Sequence, residues 1–216
     1  MAARIPRLYA IVDSDICAAA GRRPLEVALG YFRAGVRLLQ IRAKRASGRE
    51  LLALVDAISE PARRCGAEVV VNDRVDVAAS AAVGVHVGQD DLPPAVARRL
   101  LGPRALIGCS THTPAQLSAA LAAPVDYVAF GPVFATSTKA DPDLLVGLDG
   151  LRSAARQATA AGVPLVAIGG ITLATAAAVV DAGATAVAVI GDLMHGEEPP
   201  ESRARRFLVA LGAGGV

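Results

Sequence analysis

A single-domain (β/α)8 barrel, the TIM-barrel class, is the fold this 216-residue sequence predicts, and three observations carry it. The first is a repeated punctuation. Ala34-Gly35, Cys65-Gly66, Ala161-Gly162 and Ala182-Gly183 each close a helical pattern and lead straight into a short apolar run. A glycine at a helix end takes the left-handed conformation at little cost, so each phrase reads as a helix stop followed by a buried strand. The second is the number of such units: eight apolar runs, each followed by a helical pattern, in a chain with room for little else. The third is composition. Hydrophobic residues make up 53% and aromatic ones only 3%, so the core must be aliphatic, as in buried parallel strands and their covering helices.

The elements follow in order. Strand one is 8–12, ending at Asp13-Ser14-Asp15, and a helix over 24–34 begins with Pro24. Strand two runs into Gln40-Ile41-Arg42-Ala43-Lys44, and helix 48–64 follows. Strand three ends at Asn72-Asp73 before a short helix over 75–79. Strand four covers 83–87 and ends at Gly88-Gln89-Asp90-Asp91, with Pro93-Pro94 opening the next helix. Strand five, 105–109, leads to Ser110-Thr111-His112-Thr113, and Pro114 starts another helix. Strand six, 125–129, runs into Phe130-Gly131-Pro132-Val133-Phe134-Ala135-Thr136-Ser137-Thr138-Lys139, with a helical pattern from Leu144. Strand seven ends in Gly169-Gly170, strand eight in Ile190-Gly191, and a last helix fits 201–211. A doubly wound sheet is the competing architecture; even spacing of eight units favours closure. No linker or second domain is expected within 1–216.

Charge and composition exclude several function classes. Net charge is +2, from 22 basic residues interspersed with 20 acidic ones, which opposes nucleic-acid binding and membrane-surface binding. Mean hydropathy is high at +0.45. Yet the most apolar region, 163–190, is divided by Pro164, Gly169-Gly170 and Ala182-Gly183 into strand, helix and strand, too short for membrane spans. No targeting segment is expected near the start, because Arg4 and Arg7 precede no continuous apolar stretch. Cys17, Cys65 and Cys109 are odd in number and widely spaced, as free thiols of a cytoplasmic protein would be. Nothing in the sequence opposes a homo-oligomer.

Polar residues gather at the carboxyl ends of the strands, the face on which barrel enzymes carry their sites. Gln40, Arg42 and Lys44 alternate with Ile41 and Ala43, so the polar three share one face of an extended chain. An inward cation at a strand end is costly to desolvate unless an anion meets it. The alternative for Lys44, beside Arg45, is a solvated loop charge. Asp73 and Asp91 close neighbouring strands, where two carboxylates repel unless a cation such as magnesium relieves them. Each alone also reads as a helix N-cap. Asn72 suits a heterocycle, a phosphate or simply a turn. Ser110 is placed as a phosphate donor, and Thr136, Ser137, Thr138 and Lys139 offer hydroxyls and an ammonium to phosphate oxygens. Glycines after strands seven and eight let backbone N–H groups approach an oxyanion, although glycine also serves as plain punctuation.

The histidines carry less weight. His86 reads as a satisfied interior residue, His112 as part of a helix cap and His195 as a polar loop residue. No spacing suggests zinc. The residues therefore imply a magnesium-dependent site with two anionic subsites: a diphosphate near Arg42, Lys44, Asp73 and Asp91, and a monophosphate near 136–138 and the two glycine loops.

In order along the chain, Gln-x-Arg-x-Lys, Asn-Asp, His-x-Gly-Gln-x-Asp, Ser-Thr-His, Gly-Pro-x-Phe-x-Thr-x-Thr-Lys and Ala-Ile-Gly-Gly-Ile resemble the motifs of the thiamine-phosphate synthase family. The resemblance covers 8–192. It implies that Gln40, Ile41, Arg42, Ala43, Lys44, Asn72, Ser110 and Lys139 bind hydroxymethylpyrimidine diphosphate. It implies that Asp73 and Asp91 hold Mg2+, and that Thr136, Ser137, Thr138, Gly170, Ile190 and Gly191 hold hydroxyethylthiazole phosphate. Arg42, Lys44, Lys139 and Ser110 would be the catalytic groups, and both substrates are small molecules. Two positions depart from the family pattern: Ala43 stands where an acidic residue is usual, and Gly191 where a serine is expected. Two rival readings remain, a thiazole tautomerase on a similar barrel and a non-catalytic phosphate sensor. The tautomerase has no use for the diphosphate cations, and the sensor has none for a magnesium carboxylate pair.

Overall fold

The computed structural model describes residues 5–136 and 144–213. Its centre is a closed, all-parallel barrel in which each strand pairs with the next and β8 returns to β1. The strands are β1 Leu8–Asp13, β2 Leu38–Arg42, β3 Glu68–Asn72, β4 Gly84–Val87, β5 Ile107–Thr111, β6 Tyr127–Phe130, β7 Leu165–Ile168 and β8 Ala186–Val189. Around them lie α1 Ser14–Ala19, α2 Pro24–Ala34, α3 Gly48–Arg64, α4 Val75–Ala81 and α5 Pro94–Leu101. The ring continues with α6 Pro114–Leu121, α7 Gly147–Ala161, α8 Ala176–Asp181 and α9 Pro200–Ala210.

The four helix-stop glycines behave as their sequence context requires: Gly35, Gly66, Gly162 and Gly183 all have positive φ. Three local expectations need correction. Helix α1 was not anticipated; Asp13 starts it by accepting hydrogen bonds from the Asp15 and Ile16 amides with its side chain. Strand β5 begins and ends two residues later than expected, which brings Ser110 into the strand. Helix α7 begins at Gly147, leaving Leu144 and Leu145 exposed rather than in its first turn.

Alternation along each strand divides the apolar residues into two cores. Leu8, Ala10, Val12, Leu39, Ile41, Val69 and Val71 face outward and pack against the helices. Tyr9, Ile11, Leu38, Val70, Tyr127, Ala129, Val166, Ala186 and Ala188 fill the barrel interior. Large and small side chains alternate there, as closure requires. Tyr127 crosses the lumen only because β5 has Gly108 opposite: a Cβ at that position would lie 2.1 Å from the tyrosine ring. Tyr9 meets Tyr127 edge-on, with ring centroids 5.7 Å apart. Above this plug the inward positions turn polar, and the barrel opens.

Candidate active site

A cavity of about 320 Å3 occupies the carboxyl end of the barrel. Its floor comes from the inward positions that continue the lumen pattern: Ile11, Gln40, Arg42, Asn72, His86 and Ser110. The opposite wall is backbone-rich, formed by Gly131, Pro132, Gly169, Gly170, Ile190 and Gly191. One mouth thus joins a side rich in polar side chains to a side rich in backbone amides.

Arg42 sits at the end of β2 in direct register with Asp13 of β1, and the two form an ion pair. Asp13 is buried and Arg42 nearly so. The burial argument that singled out Arg42 therefore has an internal answer, since the anion that meets it is Asp13. The guanidinium still lines the cavity and retains donors beyond those used on one carboxylate. Ile41 and Ala43 point the other way, into the outer core, so their side chains are not brought to the cavity.

Asp73 and Asp91 do come together. Burial, then the hydrogen bond and charge of Asp91, hold the Asp73 carboxyl above its ordinary range, while Lys44 at 3.5 Å opposes that rise. Neither aspartate caps a helix. The residue preceding α4 is Arg74 and that preceding α5 is Pro93, and neither helix has a side-chain cap. Asp91 instead accepts the Gly88 amide at 2.7 Å, and Asp73 adopts φ 65°, an uncommon conformation for a residue with a side chain. Two hard carboxylates pressed together without a third protein ligand suit magnesium, which takes one or two carboxylates and fills its shell with water and substrate oxygens. Among the described residues no group of three or more such ligands forms. These three residues lie beside the cavity rather than on its lining.

The glycine wall has a steric cause as well as a chemical use. A Cβ on Gly169 would lie 2.5 Å from Pro132, and one on Gly170 would lie 2.4 Å from the Ala135 carbonyl. The loop after β7 is thus packed directly under the segment that leads to Thr136. Gly191 opens a 3-10 turn, Gly191–Met194, whose Asp192 accepts from the Leu173 amide and from Arg203, both at 2.8 Å. That carboxylate ties the β7 loop to the β8 loop. Thr136 lines the cavity; Ser137, Thr138 and Lys139 lie outside the described residues.

Several lining residues were missed or given too little weight. His86 is buried and uses both ring nitrogens, on the Tyr127 hydroxyl at 3.0 Å and on Ser110 Oγ at 2.8 Å. His112 lines the cavity and engages the Gly131 carbonyl at 2.7 Å, while Thr113 and Gln116 form the capping box that the turn suggested. His195, Thr172 and Asp192 also reach the cavity. For His86 the signal was the alternation that exposed Gln40 and Arg42, an inward position on β4; Thr172, Asp192 and His195 lie in the loops after β7 and β8, where alternation gives no signal.

A closed parallel barrel with a carboxyl-end cavity, polar side chains on one side and a glycine-rich wall on the other, has the architecture of a barrel enzyme. The particular family follows from comparison. Residues 8–193 match the family model described as thiamine monophosphate synthase. A thiamine-phosphate synthase of Koribacter versatilis is 48% identical, over 96% of this chain and 97% of its own. One of Chloroflexus aurantiacus is 41% identical over 95% and 93%. A solved thiamine phosphate pyrophosphorylase from Pyrococcus furiosus superposes with TM-score 0.84 at 28% identity, covering 95% of each chain. The chain belongs to the thiamine-phosphate synthase family, and the activity that membership gives it is a transferase reaction.

Proposed function

We propose that this cavity condenses hydroxymethylpyrimidine diphosphate with hydroxyethylthiazole phosphate, giving thiamine phosphate and pyrophosphate. The supporting observation is the division of one mouth into two unlike halves: Arg42, Asn72 and Ser110, with the Lys44–Asp73–Asp91 group beside them, against the glycine wall. The first half suits a diphosphate. The second offers backbone amides and Thr136 to a monophosphate. Gln40 and Asn72, on the floor of the first half, would meet the heterocycle. Ser137, Thr138 and Lys139 belong to the proposal by sequence motif.

In the reaction the thiazole nitrogen forms a bond to the pyrimidine methylene carbon, and the carbon–oxygen bond to the diphosphate breaks with its electron pair. The nitrogen attacks through its own lone pair, so no general base is required. The electron-rich aminopyrimidine spreads positive charge from the methylene, and what remains to be stabilised is the departing pyrophosphate. Arg42, held by Asp13, donates to it from a fixed position; Lys44 and Lys139 add charge; and Ser110 adds a hydroxyl donor. Asp73 and Asp91 would hold Mg2+, which when bound neutralises diphosphate oxygens. The glycine wall holds the acceptor so that its nitrogen faces the methylene.

No helix among the described residues is long and apolar enough to cross a membrane. We place the protein in the cytoplasm, where its three free cysteines stay reduced. The deciding assay incubates the protein with both precursors, with and without magnesium, and measures thiamine phosphate. Product only with magnesium is expected; no product at any magnesium concentration sinks the reading. Arg42→Ala should then abolish turnover while the variant still binds thiazole phosphate, and wild-type turnover would remove Arg42 from the diphosphate half.

A further inference from the structure

A hydrogen-bonded chain of five side chains crosses the barrel beneath the cavity. Gln40 Nε2 contacts the Tyr9 hydroxyl at 2.9 Å, and that hydroxyl lies 2.8 Å from the Tyr127 hydroxyl. Tyr127 in turn lies 3.0 Å from His86 Nδ1, and His86 Nε2 lies 2.8 Å from Ser110 Oγ. Its two ends, Gln40 and Ser110, both line the cavity; its middle, Tyr9 and Tyr127, is fully buried. Polar groups that deep are costly, and an aliphatic lumen would close as well without them. The chain therefore calls for a role other than packing.

A neutral tyrosine hydroxyl has one hydrogen to give, so the direction of any one bond sets all the others. Burial pushes both phenols well above their ordinary range, which keeps each hydroxyl protonated. With neutral His86, two self-consistent directions exist. In one, Gln40 donates to Tyr9, Tyr9 to Tyr127 and Tyr127 to His86 Nδ1. His86 then donates from Nε2 to Ser110, and the Ser110 hydrogen is left to point into the cavity. In the other every bond is reversed: the Gln40 amide turns over so that Oε1 accepts from Tyr9, Ser110 spends its hydrogen on His86, and Ser110 offers only lone pairs to the cavity. An anion opposite Ser110 is bound by the first arrangement and repelled by the second.

We propose that this chain is a positioning device: it holds His86 as the neutral Nε2–H tautomer, so that Ser110 is a committed donor to the pyrimidine diphosphate and Gln40 turns its carbonyl oxygen to the cavity as an acceptor. This rests on the substrate reading above and deepens it. The two ends then carry opposite polarity, a donor for anionic oxygen and an acceptor for the exocyclic amino group of an aminopyrimidine. Neither tyrosine touches substrate, and His86 acts through Ser110.

Two measurements test it. Nitrogen-15 spectra of the substrate-free protein at neutral pH, labelled at histidine and assigned by elimination against His112→Asn and His195→Asn, report the His86 tautomer without any assay of activity. A protonated Nε2 and an unprotonated Nδ1 are expected; the opposite tautomer or an imidazolium overturns the proposal. That result stands whether or not the substrate reading survives. Tyr127→Phe removes the donor to His86 without touching the cavity. It should lower kcat/KM for the pyrimidine diphosphate by about fivefold to tenfold and leave the KM for thiazole phosphate unchanged. In a Ser110→Ala background the same change should cost less than about twofold, because the route to substrate is already cut. Equal losses in both backgrounds mean that Tyr127 merely supports the barrel, and the proposal fails.

Discussion

Asp13 and Arg42 stand opposite each other on neighbouring strands, and the buried carboxylate pairs with the guanidinium that lines the cavity. The same carboxylate starts α1 through its other oxygen, accepting two backbone amides. One side chain thus fixes both a helix and a cation. Fixing matters because an arginine whose position is set before the substrate arrives loses little freedom when it stabilises departing charge.

The two duties of Asp13 separate in two variants. Asp13→Asn keeps an oxygen for the cap and loses the charge; Asp13→Ala loses both. We expect Asp13→Asn to lower kcat/KM by roughly tenfold or more, through loss of a charge-assisted bond, with the helix retained. Asp13→Ala should in addition be about 1 kcal/mol less stable than Asp13→Asn, the usual value of a cap. Urea unfolding and steady-state kinetics on both variants check this. Equal stability of the two would show that the cap contributes nothing.

Asp73 predicts an inverted pH dependence. Its carboxyl is raised by burial and by Asp91, so the folded protein holds that proton more tightly than the unfolded chain does. The resulting penalty is absent below the unfolded value near 4, grows as pH rises through the raised folded value, and is complete above it. Without magnesium, Asp73→Asn should therefore melt higher than the parent at pH 7, by roughly 2–4 °C, and the gap should close toward pH 4. Magnesium should raise the melting temperature of the parent and not of the variant. A variant less stable than the parent at pH 7 would mean that the Lys44 pairing outweighs the repulsion.

Most of the architecture was legible because it rests on local signals: glycine at helix ends, proline at helix starts and alternation in strands. The same alternation gave Gln40 and Arg42. What escaped was the partner of each, since strand register is set by closure and not by nearby residues. Asp13 became visible as the partner of Arg42 only once β1 and β2 were aligned, and Tyr9 and Tyr127 became a polar chain only once the barrel had closed. His86 looked like an interior residue, and so it is; its second nitrogen, on Ser110, ties it to the cavity lining. For Asp73 and Asp91 the sequence left cap and ligand readings open. The cap reading fails because α4 and α5 begin further along the chain.

The glycine wall predicts a loss that couples stability to binding. Gly170 has φ 63°, and an added Cβ would press on Phe134 and the Ala135 carbonyl, which are backbone and cannot swing aside. Gly170→Ala should cost about 1–3 kcal/mol in urea unfolding. Because the strained segment leads to Thr136, KM for thiazole phosphate should rise, with less effect on the pyrimidine diphosphate. A rise confined to the pyrimidine substrate would place the monophosphate elsewhere.

Gly191 offers the opposite experiment, a gain. The turn it opens is held by Asp192, which accepts from Leu173 and Arg203, so the backbone around position 191 is fixed from both sides. Adding the serine expected of the family therefore supplies a hydroxyl to a backbone already in place. The KM for thiazole phosphate of Gly191→Ser should stay as it is or fall by up to about tenfold, the value of one hydrogen bond, with kcat little changed. A marked rise would show that the glycine is needed for the close approach of the phosphate itself, and the wall would then bind through backbone amides alone.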